Sequence, residues 1–286
     1  MNSDAYTMSW QANGTVKYLS LERGSIRYLD VGQGRPLLLI HTLRTQLDYF
    51  QKVIPLLSDQ YRILAIDLPG HGYSSIPTEA RFDEPFFRKS VVECIEKLDL
   101  RNLILIGESI GAVLAFTVSA TIPERINRIF AFNPYDYGDQ FGGGVRRGRY
   151  GFIIGLFALF GGLTYETTLA LKLVLSGGFV DPTNLPPSLF SEFVRVGNRK
   201  GYRQAEYSLY KHWRSWLDAK QLYVKNQAPI TLVDSEQDWS YPVEREDRKK
   251  YIPSGEFIVI PAAGHFSALE VPNRFTEIIV DTLKLR

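Results

Sequence analysis

One stretch near the middle of the chain, Asn102 to Phe116, limits the available folds more than any other. It opens with Leu103 to Ile106, an apolar and partly β-branched run of the kind found in strands buried on both faces of a parallel sheet. From Ile110 onward the residues are rich in Ala, Leu and Val, which predicts a buried helix. Between them lies Gly107-Glu108-Ser109-Ile110-Gly111, a Gly-x-Ser-x-Gly. A serine at such a strand-to-helix turn sits in a strained backbone, and side chains two positions away on either side would collide there. Glycine at both places removes the collision and leaves the Ser109 hydroxyl above the sheet edge, as the leading nucleophile candidate.

The rest of the chain repeats this rhythm. Thr15 to Leu21 and Ser25 to Val31 alternate on either side of Arg23-Gly24, which predicts an antiparallel hairpin at a sheet edge. Strands are expected at Pro36–Ile40, Tyr61–Ile66, Arg128–Phe132, Ile230–Val233 and Glu256–Ile260. Helices are expected at Tyr49–Leu57, Pro85–Leu98, near Val243–Tyr251 and at Asn273–Leu285. The alternation predicts an α/β fold with a doubly wound, mostly parallel sheet. It breaks between Asp139 and Asn226, which reads as a helical insertion lying over the sheet. The expected organisation is a core of residues 1–138 and 227–286 with a cap, or lid, at 139–226.

Composition narrows the function. The 286 residues carry 33 basic and 31 acidic side chains, a net charge of +2 that makes no case for nucleic-acid binding. The single cysteine, Cys94, permits no intrachain disulfide and falls on the apolar face of a predicted helix, as a core residue does. No basic n-region and apolar core open the chain, and no apolar run reaches the length of a spanning helix, so a cytoplasmic location is expected. No His/Cys/Asp cluster has metal-ligand spacing, and no cofactor is expected. Oligomeric state leaves no signal.

A serine hydroxyl needs a base. The histidines are His41, His71, His212 and His265. Reactive groups in an open parallel sheet gather at the carboxyl ends of strands, which keeps His41, His71 and His265 and demotes His212. The orienting carboxylate is expected after the Ile230 strand. Asp238 there precedes His265 by 27 residues, in the order nucleophile, acid, base. Asp234 and Glu236 are rivals. The residue after the nucleophile, Ile110, is the expected backbone donor to a tetrahedral oxyanion.

With these residues in view, the chain resembles the α/β-hydrolase superfamily, in particular its cap-bearing serine hydrolases, over nearly its whole length outside the insertion. The segment 107–111 is similar to that family's nucleophile elbow. Asp67-Leu68-Pro69-Gly70-His71-Gly72-Tyr73-Ser74 resembles the turn after its preceding strand, and Asp238 and Gly264-His265 match its acid and base. The resemblance makes Asp67 and His71 structural, assigns the base to His265, and adds Asp136 as a third rival acid. It also implies Leu43 as the second oxyanion donor. One departure stands out: the usual His-Gly of that loop is His41-Thr42, so any need for positive φ at position 42 would strain a β-branched residue. In the same loop, Arg44 reads either as a clamp for a substrate carboxylate or as a surface arginine or partner of Asp48.

The insertion carries twelve basic and six acidic residues, leaving the remainder at −4. Arg146-Arg147-Gly148-Arg149 precedes the apolar run Tyr150 to Phe160. That run is expected to roof an apolar substrate pocket above Ser109. A second reading rests it, with the basic cluster, on an anionic membrane surface. Tyr207, Tyr210, Trp213 and Trp216 are spaced to pack one helical face on the sheet domain. The expected activity is acyl-enzyme hydrolysis of a small-to-medium apolar ester or thioester. Carbon–carbon bond hydrolysis of a diketone, cofactor-free perhydrolysis, and a non-enzymatic small-ligand receptor on the same fold are the alternatives.

Overall fold

Apolar runs too short for a helix, and without polar alternation, bury both faces only in a parallel sheet covered on two sides. The computed structural model, which describes residues 4–161 and 167–284, has this form. A short helix α1 (Ala5–Trp10) leads into the hairpin β1 (Thr15–Leu21) and β2 (Gly24–Val31). Next come β3 (Pro36–Ile40), α2 (Ile54–Leu57), β4 (Arg62–Ile66) and α3 (Glu84–Lys97). They are followed by β5 (Leu103–Glu108), α4 (Ile110–Thr121) and β6 (Ile126–Phe132). Helices then run without a strand among the described residues: α5 (Phe152–Leu159), α6 (Thr168–Ser176), α7 (Pro187–Gly197), α8 (Tyr202–Lys211) and α9 (Arg214–Asp218). The sheet resumes with β7 (Ile230–Ser235), α10 (Pro242–Lys249) and β8 (Glu256–Ile260), before α11 (Ser267–Glu270) and α12 (Pro272–Lys284).

The strands form one eight-stranded sheet in the order β1-β2-β4-β3-β5-β6-β7-β8. Only the β1–β2 and β2–β4 pairs are antiparallel. Period-2 alternation splits each central strand between two cores. Leu38, Ile40, Leu103 and Leu105 face Phe87 and Val91 of α3 and Phe116 of α4. Leu37, Leu39, Ile104 and Ile106 face Ile54 of α2 and Phe275 and Ile279 of α12. Cys94 lies in the first core, where burial pushes its thiol up to about 12, as suits a packing residue.

Two expectations change. Residues 49–57 do not make one helix: a 3₁₀ turn at Leu47–Phe50 precedes the single turn of α2. The sequence also gave no sign of α1, whose Thr7 hydroxyl joins a buried network of Arg27, Asp48 and Asp67. Leu285, the expected end of the closing helix, lies outside the described residues.

The segment after β6 is tied to the end of β7 by one arginine. Arg248, fully buried on α10, donates to Asp136, Asp234 and the Pro134 carbonyl at 2.7–3.0 Å. Tyr223 donates to the same Asp136 at 3.0 Å. Arg248→Ala would leave two buried carboxylates without their cation. It is expected to lower stability by about 3–5 kcal/mol, read from the midpoint shift in urea unfolding.

Candidate active site

The tight turn after β5 is what presents Ser109. Its backbone takes φ 62° and ψ −121°, a strained conformation for a residue with a side chain. A Cβ on Gly107 would fall on the Gly111 carbonyl, and one on Gly111 would fall on the Ile40 carbonyl of β3. Both glycines are therefore required by close approach, the first within the turn and the second where α4 crosses β3. The Ser109 amide donates to Phe132 at 3.0 Å, and its carbonyl accepts from Tyr135 at 3.2 Å, fastening the turn to the end of β6.

His265, in the loop after β8, places Nε2 2.9 Å from the Ser109 Oγ. Its Nδ1 lies 2.5 Å from Oδ1 of Asp238, in the loop after β7. All three side chains are buried. Burial alone would raise the Asp238 carboxyl. The His265 charge and hydrogen bonds from His265 and Ser240 outweigh that and hold it at about 2. This lies below the unfolded value of about 3.9, so the stabilising contribution is complete above roughly pH 4 and fades as pH falls toward 2. The second carboxylate oxygen accepts from Ser240 N–H at 2.9 Å, Ser240 O–H at 2.5 Å and Tyr137 O–H at 3.1 Å. The rival acids are engaged elsewhere: Asp136 and Asp234 on Arg248, and Glu236 on the Ala262 amide.

The other histidines do not reach Ser109. His41 has Nδ1 2.7 Å from the Thr42 carbonyl, while Nε2 accepts from the Leu68 amide at 3.0 Å. Burial, then neighbouring His71, pushes its pKa well down. His71 lies 3.1 Å from Glu206 of α8, and His212 sits against Ser208 within the insertion. Asp67 serves Arg27 and the amides of Leu47 and Tyr73.

Thr42 is not strained. The loop takes its left-handed residue two positions later, at Arg44 with φ 64°, and Thr45 pins it by donating to the Thr42 carbonyl at 3.0 Å. Among the described residues, neither the Leu43 nor the Ile110 amide donates to a protein acceptor. Arg44 is neither at the surface nor on Asp48. It is 2 % exposed, and Asp48 pairs with Thr7, Trp10, Gln46 and Arg27 instead. Its guanidinium lies 4.5 Å above the Tyr202 ring, and it lines the same cavity as Ser109.

That cavity is about 20 Å³, room for roughly one water, so a substrate enters only when its walls move. The apolar run 150–160 does not line it; Val145, Val174 and Leu175 of α6, and Tyr210 of α8 do. The four spaced aromatics pack as expected in part: Tyr210, Trp213 and Trp216 are buried and Tyr207 half-buried, although the helix breaks between α8 and α9.

Four supports escaped the sequence reading. Trp239 stacks on His265 with ring centroids 4.1 Å apart and donates to the Gly177 carbonyl. The His265 amide donates to Gly178 at 2.7 Å. Glu108 accepts from Tyr49, from the amide and hydroxyl of Ser267, and from Asn133, at 2.5–3.2 Å. Asn133, at φ 45°, also donates to Ser235 and the His265 carbonyl. An acid closing an otherwise apolar buried strand was the available signal for Glu108.

With this geometry in place, the comparisons with known proteins give the class and then the family. Ser109, Asp238 and His265 follow β5, β7 and β8 of one mostly parallel sheet, an arrangement that hydrolases built on such sheets use. The model of the alpha/beta hydrolase fold family matches residues 35–272, and the chain belongs to that family. It is 33% identical over 107 residues to (E)-2-((N-methylformamido)methylene)succinate hydrolase of Acinetobacter baylyi, covering 37% of this chain and 40% of that one. It is 24% identical over 264 residues to 2-hydroxymuconate semialdehyde hydrolase of a Pseudomonas species, covering 89% and 88%. In fold it is similar to a putative lipase of Acinetobacter baumannii, with a TM-score of 0.80, 18% identity and coverage of 99% and 96%.

Glu108→Ala would strand the buried Ser267 and Tyr49 donors, each costing about 1–3 kcal/mol. A total loss of at least about 3 kcal/mol is expected in urea unfolding. A loss below about 1 kcal/mol would show that the carboxylate does not hold the His265 loop.

Proposed function

We propose that the chain is a serine hydrolase that cleaves a small-to-medium apolar ester or thioester, with residues 139–226 acting as its cap. The observation that carries this reading is the unbroken contact from Ser109 Oγ through His265 to Asp238. His265 Nε2 takes the hydroxyl proton as Ser109 attacks the carbonyl carbon, and Asp238 holds the resulting imidazolium in place. The amides of Ile110 and Leu43 receive the oxyanion, an interaction worth about 10²–10³ in rate for each donor. His265 then returns the proton to the leaving group. A water activated by the same nitrogen releases the acyl group.

A fluorophosphonate probe tests the assignment. Wild-type protein is expected to label, and Ser109→Ala not at all. Asp238→Asn is expected to label about 10³–10⁴-fold more slowly, as its histidine loses the correct tautomer. A wild-type protein that fails to label supports a ligand receptor instead.

One observation favours a second reading, in which the substrate also carries a carboxylate. Arg44 is buried and lines the cavity above Ser109, where a guanidinium binds a carboxylate through two parallel hydrogen bonds. The two relatives described above are named for carboxylate-bearing compounds, a succinate and a muconate semialdehyde. This would admit C–C bond hydrolysis on the same side chains. Arg44→Ala is expected to lower kcat/KM for acidic esters at least tenfold more than for neutral ones. An unchanged ratio removes the clamp.

A further inference from the structure

Helix α5, Phe-Ile-Ile-Gly-Leu-Phe-Ala-Leu, has no polar side chain on any face. Ile153, Ile154 and Phe157 point inward and are buried. Phe152, Leu156 and Leu159, at i, i+4 and i+7, point outward and are 65%, 40% and 74% exposed. Phe160 and, at the start of α6, Leu169 continue the uncovered surface at 50% and 68%. Five of the fourteen exposed large apolar side chains among the described residues thus fall between positions 152 and 169. Scattered exposure needs no explanation, but a concentrated stripe on a helix apolar all round does.

The charge beside this stripe is positive. Arg146 and Arg149 are exposed just before α5, and Lys172 is exposed on α6. The Arg146 guanidinium lies along α5, 3.4 Å from where a Cβ on Gly155 would stand. From Gln140 to Val180 the sequence has four basic residues and one acid, Glu166, which lies outside the described residues. Arg147 is the basic residue already paired, with Glu244.

We propose that the outer face of α5 and the start of α6 dock on an anionic lipid surface, with the apolar stripe in the headgroup–acyl boundary and Arg146, Arg149 and Lys172 on lipid phosphates. Charge decides against a second copy of the chain. A two-fold contact sets the same patch against itself, bringing these cations face to face, whereas anionic headgroups neutralise them. Eight residues of helix rise only about 12 Å, so α5 lies on a bilayer rather than crossing it. Among the described residues, no helix is long and apolar enough to cross a membrane. The docked helices also adjoin the cavity: Val174 and Leu175 on the inner side of α6 line it above Ser109, while Leu169 and Lys172 face outward. Contact with lipid would bear on the wall that must move to admit an apolar substrate.

Vesicle flotation of the full chain tests the proposal without reference to activity. Vesicles of phosphatidylcholine with roughly 30% phosphatidylglycerol, whose negative surface attracts basic segments, are expected to carry the protein at least tenfold better than pure phosphatidylcholine, and less so at high salt. The surface double variant Leu159→Ser/Phe160→Ser is expected to stay at the bottom of the gradient while keeping the wild-type circular dichroism and melting temperature. Should that pair prove unstable, Phe152→Ser/Leu169→Ser serves in its place. Arg146→Gln/Arg149→Gln is expected to weaken binding to anionic vesicles about 30-fold. Absence of flotation with anionic vesicles, or flotation indifferent to the serine substitutions, overturns the proposal. So does a concentration-dependent dimer that those substitutions abolish, which would make the stripe a self-contact.

Discussion

The buried carboxylate of Glu108 is the interaction on which the site's geometry rests. It closes β5 immediately before Ser109 and reaches the amide and hydroxyl of Ser267, two residues after His265. Burial raises its pKa, while Ser267 and Tyr49 hydrogen bonds and the nearby His265 charge favour the ionised form. Through Tyr49 and Asn133 it also meets the segment after β3 and the end of β6. In a low-dielectric interior such a network gains strength only when every member is satisfied, and each removal leaves an expensive orphan. The spacing between Ser109 and His265 is therefore set from behind, by groups that need never touch a substrate.

Residues 139–226 are fastened to the rest of the chain by many contacts, among them two seams. On one, Glu206 faces His71 at 3.1 Å, Tyr73 donates to Glu192 at 2.7 Å, and Arg199 donates to the carbonyls of Gly72 and Ser74. All three contacts fall on the turn that follows β4. On the other, the Gly177 and Gly178 carbonyls accept from Trp239 and His265. The second seam adjoins α6, whose inner side chains line the cavity.

Arg248 and Arg27 show a different use of charge. Each is fully buried among carboxylates, Arg248 with Asp136 and Asp234, and Arg27 with Asp48 and Asp67. Such pairs add little net stability over an apolar core of the same shape, but breaking one is costly. Here they tie the segments after β3, β4 and β6 to β2, β7 and α10. The same pairing removes Asp136 and Asp234 from competition for His265.

Much of this was legible in the sequence because the signals were local. Strand periodicity, the glycines around Ser109 and the order of residues 109, 238 and 265 depend on neighbours in the chain, and short-range sterics impose them. The hairpin, the parallel strands and the helices α3, α4 and α12 follow from the same cause. What depended on distant partners was not legible. Whether Arg44 faced solvent, Asp48 or the cavity was decided by the packing of the β3 loop beneath the insertion. Thr42 was exonerated because the left-handed residue fell at position 44, a choice made by the loop's hydrogen bonds. Residues 150–160 read as a pocket roof because they are apolar, yet only tertiary packing determines which side of an all-apolar helix is covered. Hydrophobicity along a chain specifies that a surface seeks burial; the neighbours brought by the fold decide where it finds it.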